Sequence, residues 1–154
     1  MAGWTNVDLY PSHPSVVLAD LNNRLPFDNE CAEEVLLDNV IEHVSSVTHV
    51  IQEIHRVLKP QGKLRIITPH YSSPASWRDP THTHHFSYFS FDYFTKNRGY
   101  LGNVQFSIES KKLSFGGGWS LIGRLIFLAS EKAYEKYFTF IFPASTIHVV
   151  LQKN

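Results

Sequence analysis

Four histidines, His70, His82, His84 and His85, fall within sixteen residues of a 154-residue chain, in the segments His70-Tyr71-Ser72-Ser73 and Asp79-Pro80-Thr81-His82-Thr83-His84-His85. An imidazole titrates near neutral pH, so such a cluster can supply a general base. The spacing His82-x-His84 would also place two rings on one face of an extended segment, as a metal ion requires. Cys31 and the nearby carboxylates are poor candidates to complete such a site, so no metal ligand is assigned. The third reading is structural or substrate-contacting histidine. Upstream stand two aspartates. Asp8 is expected at the end of a first strand, where a carboxylate can accept two hydrogen bonds from the ribose hydroxyls of a nucleoside. Asp20 follows the apolar run Val16-Val17-Leu18-Ala19, where it could accept from an exocyclic amine while the Leu21 backbone N–H donates to a ring nitrogen. Each has a plainer reading as a turn-capping Asp. Asn39, Glu42 and His43 form a third polar group, at the end of another expected strand.

The elements that must position these residues are legible around Val35 to Pro69. Apolar residues at 40, 44, 47, 51, 54 and 58 share one helical face, and His49, Gln52, Glu53, His55 and Arg56 lie on the other. The pattern predicts a strand over 33–38, a helix over 46–58 stopped by Pro60 and Gly62, and a strand over 63–68. Two strands joined through a helix are parallel, and open parallel sheets bind ligands at the carboxyl ends of their strands. Short strands are expected over 4–9 and 15–19. The Pro-, Ser- and His-rich stretch 69–86 reads as a long loop, and 89–95 as a short helix. Residues 105–115 read as strands turning near Ser110–Lys112, 119–137 as one helix and 146–152 as a closing strand. The aromatic run from Phe86 to Phe94 suits core and lid packing better than base stacking. Lys59 and Lys63 flank the helix stop as charges favourable to its dipole.

Composition bounds the rest. The length suits one domain, residues 1–154, within which 70–95 would form an acceptor-side loop or lid and 104–154 a C-terminal strand-helix-strand segment. Lys plus Arg and Asp plus Glu both number 14, so the formal charge is zero, which argues against a broad nucleic-acid or anionic-membrane surface. The single Cys31 excludes an internal disulfide and fits a reducing, cytoplasmic compartment. The start, MAGWTNVDLY, lacks the pattern of a signal peptide, and no apolar run is long enough to span a bilayer.

The blocks VDLYP, VVLADLNNRLPF, VLLDNVIEHV and IHRVLKPQGKLRIITP, in that order, resemble the class I S-adenosylmethionine-dependent methyltransferases, most closely the small type 11 branch. PHYSSP and DPTHTHHFSYFSFDYF are similar to later blocks of that branch. The resemblance implies an α/β, three-layer Rossmann-like methyltransferase fold. It implies S-adenosylmethionine held by Asp8 at its ribose, Leu9 beside adenine, Asp20 and Leu21 at the adenine edge, and Asn39 and His43 toward its methionine end. His70 or His84 would act as catalytic base, and Tyr71, His82 and His85 would contact a small-molecule acceptor with an O or N nucleophile. In the family a strand and a Gly-rich turn precede the equivalent of Gly3-Trp4. The sequence lacks both, so the fold is expected to be incomplete at its central strand and cofactor affinity low. Ladder groups beside the gap would need direct pairing, a shifted register or another chain, which implies a homodimer, possibly with exchanged elements. The alternative is a non-catalytic remnant that serves self-association or partner binding.

Overall fold

The computed structural model describes residues 3–95 and 104–154. Two short parallel strands, β1 (Val7–Asp8) and β2 (Val17–Leu18), form one small sheet. A second sheet holds β3 (Ala32–Asp38), β4 (Leu58–Pro69), β5 (Phe106–Phe115) and β6 (Ala144–Lys153) in the order β3-β4-β6-β5. β3 and β4 are parallel, joined through helix α1 (Val47–Val57), and β6 runs antiparallel to both β4 and β5. The fold is Rossmann-like α/β, as the sequence implied. Among the described residues β1 pairs only with β2, and β3 only with β4. Each sheet therefore ends on an open edge, and direct pairing between the two, one of the closures anticipated from the sequence, is not seen.

Helix α1 forms where the apolar spacing placed it. The Ser46 hydroxyl accepts from the His49 N–H and caps its first turn. Val50, Ile51 and Ile54 are buried in one cluster with Leu64, Ile66, Ile147, Val149 and Leu151 of the sheet. Burial of side chains of this size contributes roughly 1.5–3 kcal/mol each. The chain leaves α1 directly into β4 through Lys59 to Gly62. A Cβ at Gly62 would lie 2.8 Å from the Lys59 carbonyl oxygen, so no other residue fits without a shift. The polar face of α1 also works. The Arg56 guanidinium binds Glu53 and the carbonyls of Leu25 and Phe27, and Glu53 accepts from the Leu25 N–H. That clamp holds the loop after β2 onto the helix. Arg56 keeps the Glu53 carboxyl below its usual range.

Several expected elements differ in detail. The strands expected over 4–9 and 15–19 contract to two residues each. The turn expected near Ser110–Lys112 is instead a register shift between Ile108 and Ser110 in one continuous β5. The stretch 69–86 contains helix α2 (Pro74–Arg78), whose N-cap Ser73 accepts from Ala75 N–H, and a bridge between His70 and Phe86. The helix expected over 119–137 divides into α3 (Ser120–Ala129) and α4 (Glu131–Ala133), the latter continuing as a π-helical turn over Tyr134–Phe138. Ser130 causes the break: it adopts extended backbone and its hydroxyl accepts from Ala133 N–H.

The segment between β5 and β6 docks through aromatic rings. Tyr134 is fully buried against Phe115 and Phe127, and its hydroxyl donates to the Phe142 carbonyl. Burial pushes the Tyr134 phenol up to about 12. Lys111 inserts between the Asp92 carboxylate and the rings of Tyr88 and Phe89. The outer side of α3 stays apolar and exposed at Leu121, Ile122, Leu125 and Leu128. Among the described residues no helix is long and apolar enough to cross a membrane.

Candidate functional site

The carboxyl ends of β1, β2, β3 and β4 carry the polar residues singled out in the sequence. Asp8 and Asp20 lie at the ends of paired parallel strands, and the Ala19 N–H donates to the Asp8 carbonyl. Both side chains also perform the plainer task. Asp8 Oδ1 accepts from Tyr10 N–H at 2.8 Å. Asp20 Oδ1 accepts from the backbone and side chain of Asn22, and its Oδ2 from the Asn23 side chain. Leu9 is exposed, and Leu21 packs against the main core. The Ser45 N–H donates to Asn22 Oδ1 at 2.6 Å, which ties the Asp20 turn to the segment after β3.

At the end of β3 the chain turns sharply at Asn39, whose φ of 51° lies in the left-handed region that Asn tolerates. Asn39 N–H donates to the Ile67 carbonyl, and a single helical turn, Ile41–His43, follows. Asn39, Glu42, His43, Pro69, Arg78 and His82 line an open cleft of about 560 Å³ between the ends of β3 and β4 and helix α2. Within it one ligand-type atom from each of Glu42, His43 and His82 lies within 4.8 Å of the others.

Glu42 is buried, with 1% of its surface exposed. Its Oε2 accepts from the Thr68 hydroxyl at 2.9 Å, and its Oε1 has no partner. A buried polar atom left unpaired costs about 1–3 kcal/mol. The two imidazoles are oriented from behind. The Thr81 hydroxyl donates to Asp79 Oδ1 and so must accept from His43 Nδ1. His82 Nδ1 donates to the Ser76 carbonyl, which can only accept. Both rings therefore carry their proton on Nδ1. The Thr81 hydrogen bonds also hold the Asp79 carboxyl below its usual range.

The side chains of the other histidines of this stretch do not join the trio. His70 is fully buried; its Nε2 meets Glu135 Oε1 at 2.8 Å and its Nδ1 meets the Ser72 hydroxyl at 2.8 Å. Tyr71 bonds Thr139 and the Glu135 carbonyl. These two residues fasten the segment after α3 rather than line the cleft. His84 Nε2 is buried without a partner. His85 stacks on Trp77 at 3.7 Å and bonds the Ser76 hydroxyl. Structure thus gathers Asn39, His43 and His82 in the cleft; His84 adjoins it through its backbone N–H, which donates to the Glu42 carbonyl, while the side chains of His70, Tyr71 and His85 have other partners. Sequence reasoning gave no role to Thr68, Asp79 or Thr81, and placed Glu42 at the strand-end edge without a specific task. The Asp79-Pro80 pair is a turn signal that could have marked Thr81; nothing local marked Thr68.

Comparison with known proteins bears on this arrangement. A family profile described as "Methyltransferase domain" matches residues 5–66, which hold β1, β2, β3, α1 and most of β4. No curated protein sequence matches. Among solved structures, an S-adenosylmethionine-dependent methyltransferase from Mesorhizobium loti superposes with a TM-score of 0.56 at 14% identity, over 94% of this chain and 72% of that one. A chain of the complex of the Haloferax volcanii Trm112 methyltransferase activator gives 0.54 at 13%, over 93% and 64%. The [4+2]-cyclase SpnF gives 0.56 at 15%, over 90% and 56%. The chain therefore spans between about half and three quarters of the length of these structures. Strand order, the polar strand-end edge and the matched profile define the class: a class I methyltransferase fold. Within that fold, residues 5–66 are similar to the family whose profile is described as a methyltransferase domain. The cyclase in the same group is a reminder that this fold alone does not fix the reaction.

Proposed function

We propose that this chain binds S-adenosylmethionine over the ends of β1, β2 and β3 and transfers a methyl group to an oxygen or nitrogen nucleophile on a small molecule such as a sugar. The observation that carries the reading is the pair Asp8 and Asp20 at adjoining parallel strand ends, tied through Asn22 and Ser45 to the polar cleft. Asp8 is exposed and uses Oδ1 to accept from Tyr10 N–H; its carboxylate would take the ribose hydroxyls. Asp20 and the Leu21 backbone would take the adenine edge, and Asn39 with His43 the methionine end. When bound, the cofactor supplies an electrophilic methyl on a sulfonium. The protein's share is to align the acceptor, exclude water and take its proton.

Deprotonation of the acceptor is placed in the cleft that Glu42, His43 and His82 line. It is not assigned to His70, whose two nitrogens are both engaged, nor to His84, whose Nε2 is buried. Tyr71 and His85 support the acceptor wall from behind, through Thr139 and Trp77. The single exposed Cys31 fits work in a reducing compartment such as the cytoplasm. The open edges of β1 and β3 and the apolar face of α3 favour a self-associating chain.

Calorimetric titration with S-adenosylmethionine tests the reading. Saturable binding is expected, weakened about 10- to 100-fold by Asp8→Ala through loss of charge-assisted hydrogen bonds. No heat up to about 1 mM ligand, or equal affinity in Asp8→Ala, would overturn it.

A further inference from the structure

We propose that Glu42, His43 and His82 form a site for a first-row divalent metal ion, zinc or a close relative, in the cleft between the ends of β3 and β4. Two imidazoles and one carboxylate are the donor set that suits such an ion. Their ligand atoms already approach within 4.8 Å of one another. Atoms bound to one zinc at about 2.1 Å lie about 3.4 Å apart, so the trio needs only a small closure. His43, the exposed member, is the one with room to make it.

Three further observations point to a cation rather than to a hydrogen-bonded cluster. Glu42 is buried, yet its Oε1 accepts nothing, although two imidazoles stand beside it. Both rings hold their proton on Nδ1 and leave the Nε2 lone pair for a ligand bond. Each ring is also oriented by a second partner. The Asp79–Thr81 relay holds His43 and the Ser76 carbonyl holds His82, which is how proteins aim metal-binding imidazoles. Thr68 fixes the other oxygen of Glu42. The pair suggested by the spacing His82-x-His84 is not the one assembled, since the atoms that converge belong to Glu42, His43 and His82. Three protein ligands leave a coordination position open to the cleft. If the methyltransferase reading holds, on which this last step rests, that position would take an oxygen of the acceptor and favour its deprotonation.

The test uses untagged full-length protein, stripped of metal by a chelator and titrated with Co²⁺ and with Zn²⁺. One Co²⁺ per chain is expected to bind with visible d–d absorption, and Zn²⁺ to displace it and raise the melting temperature. Glu42→Gln should abolish the absorption, and Thr81→Val should weaken binding about 10- to 100-fold. His13→Ala, on the exposed loop before β2, should change nothing. Circular dichroism of each variant reports folding; if Glu42→Gln misfolds, Thr81→Val decides. No stoichiometric binding, or binding unaffected by both cleft variants, would overturn the site. Calorimetry with S-adenosylmethionine on the same preparation separates the two ideas. Cofactor binding without metal binding removes the site and keeps the methyltransferase reading; metal binding without cofactor binding does the reverse.

Discussion

His70 and His55 show how neighbours decide what an imidazole does. At position 70, Glu135 and Ser72 engage both nitrogens, and the ring anchors the segment that follows α3. A sequence can show that a histidine is present, but not that an acid 65 positions later will occupy it. His55 sits at the polar–apolar boundary of α1, edge-on to Phe106, with Nε2 accepting from the Gln105 N–H. Burial first, and the charge of Lys153 second, lower its pKa. The unfolded imidazole, near the ordinary value of about 6.5, therefore takes up a proton that the folded one resists. Its contribution to stability is complete above about pH 6.5 and is lost as pH falls below that value. The urea midpoint should drop between about pH 7.5 and 5.5, and His55→Gln should flatten that drop. An unchanged slope in the variant would assign the acid sensitivity to another group.

Among the elements, α3 is the one whose sequence and placement most disagree. It is apolar nearly all round, which ordinarily means burial on all sides, yet only Gly123 and Phe127 are buried. Contact with the body is made through Gly123. A Cβ there would stand 2.7 Å from the Phe142 carbonyl oxygen and 2.8 Å from the Phe142 Cβ. Two effects compete in Gly123→Ala. Helix propensity favours alanine by about 1 kcal/mol, and overpacking against backbone costs about 1–3 kcal/mol. Because the opposing atoms are a carbonyl and a Cβ, not the end of a flexible side chain, the clash should win. Urea unfolding should show a net loss of about 1 kcal/mol. A gain would mean that α3 does not rest on Phe142 in solution.

At the scale of the molecule, the described residues form two sheets that share no edge. Among the described residues β1–β2 and β3-β4-β6-β5 each stop at an unpaired strand, and unpaired edges with an exposed apolar helix favour association. Sedimentation should therefore find a concentration-dependent dimer. Leu125→Glu, on the outer side of α3, should shift it toward monomer without lowering thermal stability. A wild-type chain that stays monomeric at high concentration would count against the self-association reading.

The sequence by itself determined the α1–β4 unit, the placement of polar residues at strand ends and the class of fold. Those features follow from local periodicity, capping and stop signals, which act over a few residues. It could not decide that β1 and β2 would be only two residues long, that Ser130 would divide the long helix, or that β5 would run through Ser110 as one bulged strand. Nor could it choose among the histidines. Glu42, His43 and His82 are brought together by the return of the α2 loop over the ends of β3 and β4, and His70 is withdrawn by Glu135. Only tertiary packing makes those choices, because a side chain's chemistry is set by the solvent it loses and the partners it gains, and both arrive from distant parts of the chain.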